Sequence, residues 1–238
     1  MVGSGRVGSA RAVAIAGAIA LGALIAPAAG AATRNADVNL AKTGTFVATD
    51  FPAGFRWSPP TPQSHADNIK LAKGVPGCAP YATLQKTVAT LPQAKSPRFV
   101  DADRTLGNEV DVFASERAAS AALTLYSKSS MSSCLEHLFE KQAHQDPDLR
   151  DVDVDVSLRR EDIAGLGNDS VGYEGSVVLT GKDGPPQQIG IGSVVVRVGR
   201  AVDVVTYSTN GADLTGVLTP AIDASVARLR AALPPSST

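Results

Sequence analysis

The chain has 238 residues, with 22 Lys and Arg against 23 Asp and Glu, a formal charge of −1 and 44% hydrophobic residues. It has no basic excess and no Lys/Arg cluster, so it lacks the phosphate-neutralising charge on which nucleic-acid binding depends. Its two cysteines have no histidines spaced to complete a structural zinc site, and composition predicts neither a metal nor a cofactor.

Arg6 and Arg11 precede an uncharged Ala/Ile/Leu run from Ala12 to Ala26, then Pro27 and the small residues Ala29-Gly30-Ala31. That order reads as a secretory signal peptide over 1–31. The apolar run of 15 residues is shorter than the roughly 20 a bilayer-spanning helix needs. Cleavage after Ala31 leaves 207 residues with 20 basic against 23 acidic side chains, a formal charge of −3 and no stable membrane span. No cysteine follows the run and no Arg-Arg pair precedes it, so neither a lipid anchor nor the twin-arginine route is indicated. In an oxidising compartment Cys78 and Cys134 have a single intramolecular pairing, and a disulfide between them is predicted.

Residues 32–50 show no sustained period and read as a flexible lead-in. A single domain is predicted over 51–233, with a disordered tail at 234–238. Phe51-Pro52-Ala53-Gly54-Phe55-Arg56-Trp57 gathers aromatics around a turn, with a short edge strand starting near Phe55. Phe55 and Trp57 are the candidate surface for a ligand or partner. Four prolines between Ser58 and Gly77 predict a long loop with at most a helical turn at Asp67–Lys73. Cys78, Tyr81, Leu84, Val88 and Leu91 recur at helical spacing up to Pro92. Arg98–Asp101 and Glu109–Phe113 read as short strands joined by a turn at Gly107-Asn108. Ser115 caps an Ala-rich helix to about Lys128, and Ser133 with Glu136 matches a capping box for a second helix. Both cysteines are thereby predicted in the first turn of a helix.

Val152, Val154, Val156 and Leu158 alternate with Asp151, Asp153, Asp155, Ser157 and Arg159, which puts the valines in a core and the aspartates in water. The chain is organised by the next stretch, Val171–Thr209. It contains three β-branched runs, two of them joined at Val198-Gly199-Arg200-Ala201, where Gly199 suits the first central position of a type II′ hairpin. Thr219-Pro220 reads as the start of a last helix carrying Ile222, Val226, Leu229 and Leu233. The predicted class is α+β: an antiparallel sheet of about 5–7 strands with helices packed mainly on one face.

No catalytic constellation is legible. His137 and His144 lack the His-Glu-x-x-His arrangement, and His65, His137 and His144 read as surface residues. Asp151, Asp153, Asp155 and Asp162 mimic calcium-loop spacing, but Val156 stands where the loop needs Gly. Ser170 is the best nucleophile for a hydrolase, yet Gly167–Gly172 lacks the Gly-x-Ser-x-Gly elbow. Gly190-x-Gly192 lies inside a strand and reads as a bulge or a close backbone approach.

The segment Gly165-Leu166-Gly167-Asn168-Asp169-Ser170-Val171-Gly172-Tyr173 and the Val196-Arg197-Val198-Gly199-Arg200 hairpin carry a resemblance. With the Phe-Pro-x-Gly-Phe entry, the chain resembles the extracytoplasmic sensor-type domains of actinobacteria, a group that includes the external domain of PknH-type serine/threonine kinases. The resemblance implies helices on an antiparallel sheet with a cleft for an envelope ligand. This chain departs from it in having one candidate disulfide where kinase sensor domains commonly have two, and no kinase or transmembrane segment. The expected function is a secreted, non-catalytic sensor-like or ligand-binding domain for a small molecule or envelope component. A protein-interaction or envelope-structural module and a secreted hydrolase are the alternatives.

Overall fold

A computed structural model describes residues 31–60, 64–182 and 184–233. Most of the predicted signal peptide and the predicted tail lie outside them. Among the described residues, eight strands form one antiparallel sheet: β1 (Arg56–Ser58), β2 (Gln93–Lys95), β3 (Arg98–Val100), β4 (Arg104–Val112), β5 (Asp153–Glu161), β6 (Asp169–Thr180), β7 (Gln187–Val198) and β8 (Ala201–Thr209). Their order is β1-β3-β4-β8-β7-β6-β5, with β2 pairing the C-terminal half of β4. β2 is the strand that sequence periodicity did not signal; three residues after Pro92 are too few to show alternation. Helices α1 (Ala31–Gly44), α2 (His65–Ala72), α3 (Ala79–Val88), α4 (Glu116–Tyr126), α5 (Ser130–Ala143) and α6 (Thr215–Ala232) complete the α+β domain.

Two cores flank the sheet. On one face, Tyr81, Leu84 and Val88 of α3, Leu123 and Tyr126 of α4 and Leu135 and Leu138 of α5 pack on Val156, Leu158, Val171, Val195, Val202 and Val204. On the other, Leu40 and Ala41 of α1 and Ile222, Val226 and Leu229 of α6 pack on Leu106, Val110, Val194, Val196 and Val205. Period-two alternation assigns each strand's residues to one core or the other. On β5 the valines are buried while Asp153, Asp155, Ser157 and Arg159 are in water. Gly199 takes φ +54° in the two-residue turn from β7 to β8, where Val198 pairs with Ala201.

The segment 32–50 is not a flexible lead-in. It forms α1 and a 3₁₀ turn at Ala48–Asp50, and it is fastened by side chains from distant sequence. Arg228 Nη1 and Nη2 bind both carboxylate oxygens of Asp50 at 2.7 and 2.8 Å, and its Nε and Nη2 donate to the Thr43 and Thr45 carbonyls. Asp37 pairs with Arg200. A helix that is mostly solvated and held by a few long-range contacts leaves little local periodicity.

Three boundaries also differ from expectation. The β3–β4 turn lies at Asp101–Asp103, because Asp101 Oδ1 accepts from the backbone of Asp103 and Arg104 at 3.0 and 2.8 Å. Gly107 and Asn108 are inside β4. Helix α5 begins at Ser130, before Ser133, so Cys134 lies in its second turn, while Cys78 is the residue preceding α3. Helix α6 begins at Thr215, where Asp213 accepts from the Thr215 backbone and hydroxyl, and Pro220 lies within it. The Cys78 and Cys134 sulfurs are bonded at 2.00 Å, tying α3 to α5.

Candidate functional site

The face of β4 turned towards α3, α4 and α5 carries Thr105, Gly107, Glu109 and Asp111, the alternate set to Leu106, Asn108, Val110 and Val112, which face α1 and α6. Strand register extends these into rows. Thr105 pairs with Ser208 and Ser208 with Ile191; Gly107 pairs with Thr206 and Thr206 with Ser193; Glu109 pairs with Lys95 and Val204; Asp111 pairs with Gln93 and Val202. Continuing the register of Phe99 with Leu106 puts Arg98 beside Gly107, where an added Cβ would lie 3.7 Å from Arg98 Cγ. The second row therefore reads Arg98–Gly107–Thr206–Ser193 across β3, β4, β8 and β7. A face that is apolar under α4 and α5 becomes polar towards the β1 edge, and Arg98, Gly107 and Thr206 there are only half-buried.

Two groups on this row are oddly placed energetically. Arg98 Nε and Ser193 Oγ are shielded from solvent and have no hydrogen-bond partner, although Ser193 is only 4% exposed. A buried donor left without a partner costs about 1–3 kcal/mol. Such groups either tolerate that cost or meet something the polypeptide does not supply.

A charged cluster borders the row. Glu109 lies 3.1 Å from Lys95 Nζ and 3.4 Å from His65 Nε2, ion pairs not aligned as hydrogen bonds. His65, the first residue of α2, also places Nδ1 3.0 Å from Gln85 Oε1 and Nε2 2.9 Å from Gln93 Oε1. Burial opposes the His65 charge, but the neighbouring Glu109 carboxylate and the accepting Gln93 and Gln85 amide oxygens outweigh it and raise the pKa above its ordinary value. Asp111 is fully buried and neither carboxylate oxygen has a hydrogen-bond partner. Burial first, then the Glu109 charge, holds its carboxyl well above the usual range, against the pull of Lys95. The protonated form of Asp111 and the cationic form of His65 are what this environment favours.

The structure distributes the sequence candidates unevenly. Trp57 is 69% exposed on the edge strand β1, where it pairs with Phe99. Phe55 is half-buried: its ring lies 5.2 Å from that of Phe51, and the Arg104 guanidinium lies 5.2 Å above it. Of the two, Trp57 is therefore the exposed ring and Phe55 the partly covered one. His137 and His144 are exposed, but His65 is a corrected reading, since its side chain is mostly buried in the cluster above. Ser170 donates to the Ile163 carbonyl at 2.5 Å. Gly192 is a close approach: a Cβ there would lie 2.2 Å from the Tyr207 ring. Arg98, Glu109, Asp111 and Ser193 were missed as site residues. A usable signal existed in Glu109-Val110-Asp111-Val112, where acids alternate with valines in a strand that both neighbouring sequences would bury.

The molecule is thus an α+β domain whose antiparallel sheet carries a polar strip on the face packed by α3, α4 and α5. Among the described residues no group of three or more His, Cys, Asp or Glu could hold a metal ion, and no helix is long and apolar enough to cross a membrane. No protein-family model and no curated protein matches the chain. Among solved structures it is similar to the extracellular domain of PknH from Mycobacterium tuberculosis, at 7% identity and a TM-score of 0.33, over 57% of this chain and 62% of that domain. It is also similar to cyanobacterial PsbP (CyanoP) from Synechocystis sp. PCC 6803, at 14% identity and a TM-score of 0.37, over 94% of this chain and 98% of that one. The Saccharomyces cerevisiae Ran-binding protein Mog1p matches at 13% identity and a TM-score of 0.25, over 76% of this chain and 82% of its own. These are distant likenesses of fold and assign neither a family nor a ligand.

Proposed function

We propose that this chain is an extracytoplasmic, non-catalytic domain of the actinobacterial sensor type, which receives a small envelope ligand on the polar strip beside α2. The observation carrying the reading is the pairing on one row of two buried donors, Arg98 Nε and Ser193 Oγ, that the protein itself leaves without partners. Binding sites concentrate a few unsatisfied polar groups on an otherwise apolar scaffold. The Cys78–Cys134 bond and the Arg6–Ala31 sequence order support an oxidising, extracytoplasmic setting. Against catalysis, the interior imidazole of His65 has both nitrogens engaged by Gln85 and Gln93, which leaves neither to serve a nucleophile.

Native mass spectrometry of the protein purified from its host, with and without reductant, tests this reading. A retained small molecule, released on gentle denaturation, is the expected result; a ligand-free species would contradict it. A second reading, a protein-interaction module, is favoured by Trp57 alone, exposed on an edge strand with an unpaired outer side. On that reading the protein carries no small molecule, and Trp57→Ala abolishes a partner complex without altering thermal stability.

A further inference from the structure

We propose that the ligand of this strip is a small hydroxylated acid, its carboxylate or phosphate seated on Arg98 and its hydroxyls set along Thr206 and Ser193. This rests on the ligand-binding reading above and adds the chemical class. The case begins with a contrast among arginines. The four other half-buried arginines of the described residues each hold a carboxylate: Arg104 holds Asp101, Arg197 holds Asp169, Arg200 holds Asp37 and Arg228 holds Asp50. Arg34, Arg56, Arg117 and Arg150 are exposed and hydrated. Arg98 is half-buried, with a shielded Nε and no anion of its own. Glu109, two positions along β4 from Gly107 on the same face, is taken up by Lys95 and His65.

A guanidinium fork is matched by a carboxylate or phosphate, which accepts two parallel N–H bonds and would satisfy Nε. Gly107 is the neighbour of Arg98 in the row and adds no side chain between the Arg98 stem and β8; a Cβ there would sit in ordinary contact with Arg98 Cγ, Ser96 Oγ and the Pro97 carbonyl at 3.6–3.8 Å. Beyond the stem, β8 and β7 continue the row for two more strand spacings, about 10 Å. That interval offers the Thr206 and Ser193 hydroxyls, with Thr105 and Ser208 in the adjoining row. It suits one hydroxylated ring bearing an acid, and the positive character of Lys95, Arg98 and His65 at this end favours the anion.

The test is an amide-resolved NMR titration of the purified protein with glucuronate, glucose 6-phosphate and glucose as probes, repeated on Arg98→Gln and Arg98→Lys. The expected result is saturable shifts at Gly107, Ser193 and Thr206 with at least one of the two acids, about tenfold or more weaker with glucose. Whichever acid binds more tightly identifies the carboxylate or the phosphate as the source of the anion. Arg98→Gln should abolish the difference between acid and neutral sugar, Arg98→Lys should restore part of it, and neither should move the thermal midpoint, because Arg98 has no internal ion pair to lose. Equal binding of glucose and both acids at these amides, unchanged in Arg98→Gln, would overturn the acid class and leave the ligand-binding reading standing. No shift at these amides with any probe would also overturn the acid class. The ligand-binding reading falls as well only if the native mass spectrum shows no retained molecule.

Discussion

Asp203 shows how a single side chain can depend on its proton. It is fully buried on the face opposite the polar strip, with Asn108 Nδ2 2.9 Å from Oδ1 and Ser225 Oγ 2.6 Å from Oδ2. Ser225 Oγ also lies 2.7 Å from the Gly44 carbonyl, but a hydroxyl has one hydrogen to give. The bonds close if Asp203 is protonated on Oδ2: it donates to Ser225, Ser225 donates to Gly44, and Asn108 donates to Asp203 and Gly44 while accepting from Phe46 N. Burial accordingly pushes the Asp203 pKa up to about 7, against the opposing hydrogen bonds from Ser225 and Asn108. Between the ordinary value of 3.8 and about 7, the folded chain keeps a proton that the unfolded chain has released. The contribution of Asp203 to stability is therefore fully present below about pH 4 and is lost as pH rises through about 7, by at most about 4 kcal/mol. Asp67, Asp101 and Asp213, whose carboxyls are held below the ordinary value, act the other way below about pH 4. His65 and Asp111, also raised, act in the same direction as Asp203. Urea unfolding from about pH 4 to 8 should show this decline, and Asp203→Asn should remove the part that Asp203 contributes; stability that rises over the same interval would contradict the assignment.

At the scale of elements, two strands with the same pattern have opposite fates. Asp153-Val154-Asp155-Val156 in β5 and Glu109-Val110-Asp111-Val112 in β4 both alternate acid with valine. On β5, an edge strand whose outer face nothing covers, the acids are hydrated. On β4, which lies between β3 or β2 and β8 with a core on each face, the acids are as buried as the valines. Alternation reports two faces, and only tertiary cover decides whether one or both are dry. This is why the meander, its hairpin at Gly199 and the helix at Ala79–Val88 were legible in the sequence while Glu109, Asp111 and the Arg98 row were not. The N-terminal segment was illegible for a related reason, since its anchor Arg228 is 178 residues from Asp50. Arg228→Ala leaves Asp50 buried without its cation and frees the Thr43 and Thr45 carbonyls. It should cost about 3 kcal/mol in urea unfolding and raise hydrogen exchange in α1. An unchanged exchange pattern would show that α1 is held by packing alone.

At the scale of the whole molecule, the helices divide the sheet's faces unequally. α1 and α6 cover one face of the β4-β8-β7 centre. On the other, α3, α4 and α5 bury the valine rows, and towards the β1 edge the polar row is only half-buried at Arg98, Gly107 and Thr206. The wall beside those rows is braced: Lys141 of α5 donates to the Leu71 and Lys73 carbonyls at the end of α2, and Cys78–Cys134 joins α3 to α5. α2, which carries His65, is thus tied to α5 by a charge-assisted bond, and α5 is tied covalently to α3. Such bracing suits a preorganised site, where little ordering cost remains when a ligand arrives. Ligand binding at this strip is tested most directly by a crystal structure of the protein purified from its host with whatever it carries. Density for a small hydroxylated acid over Arg98, Gly107, Thr206 and Ser193 is the predicted result. A bound molecule elsewhere, at Trp57 for example, or a strip filled only by the protein's own side chains, would contradict it.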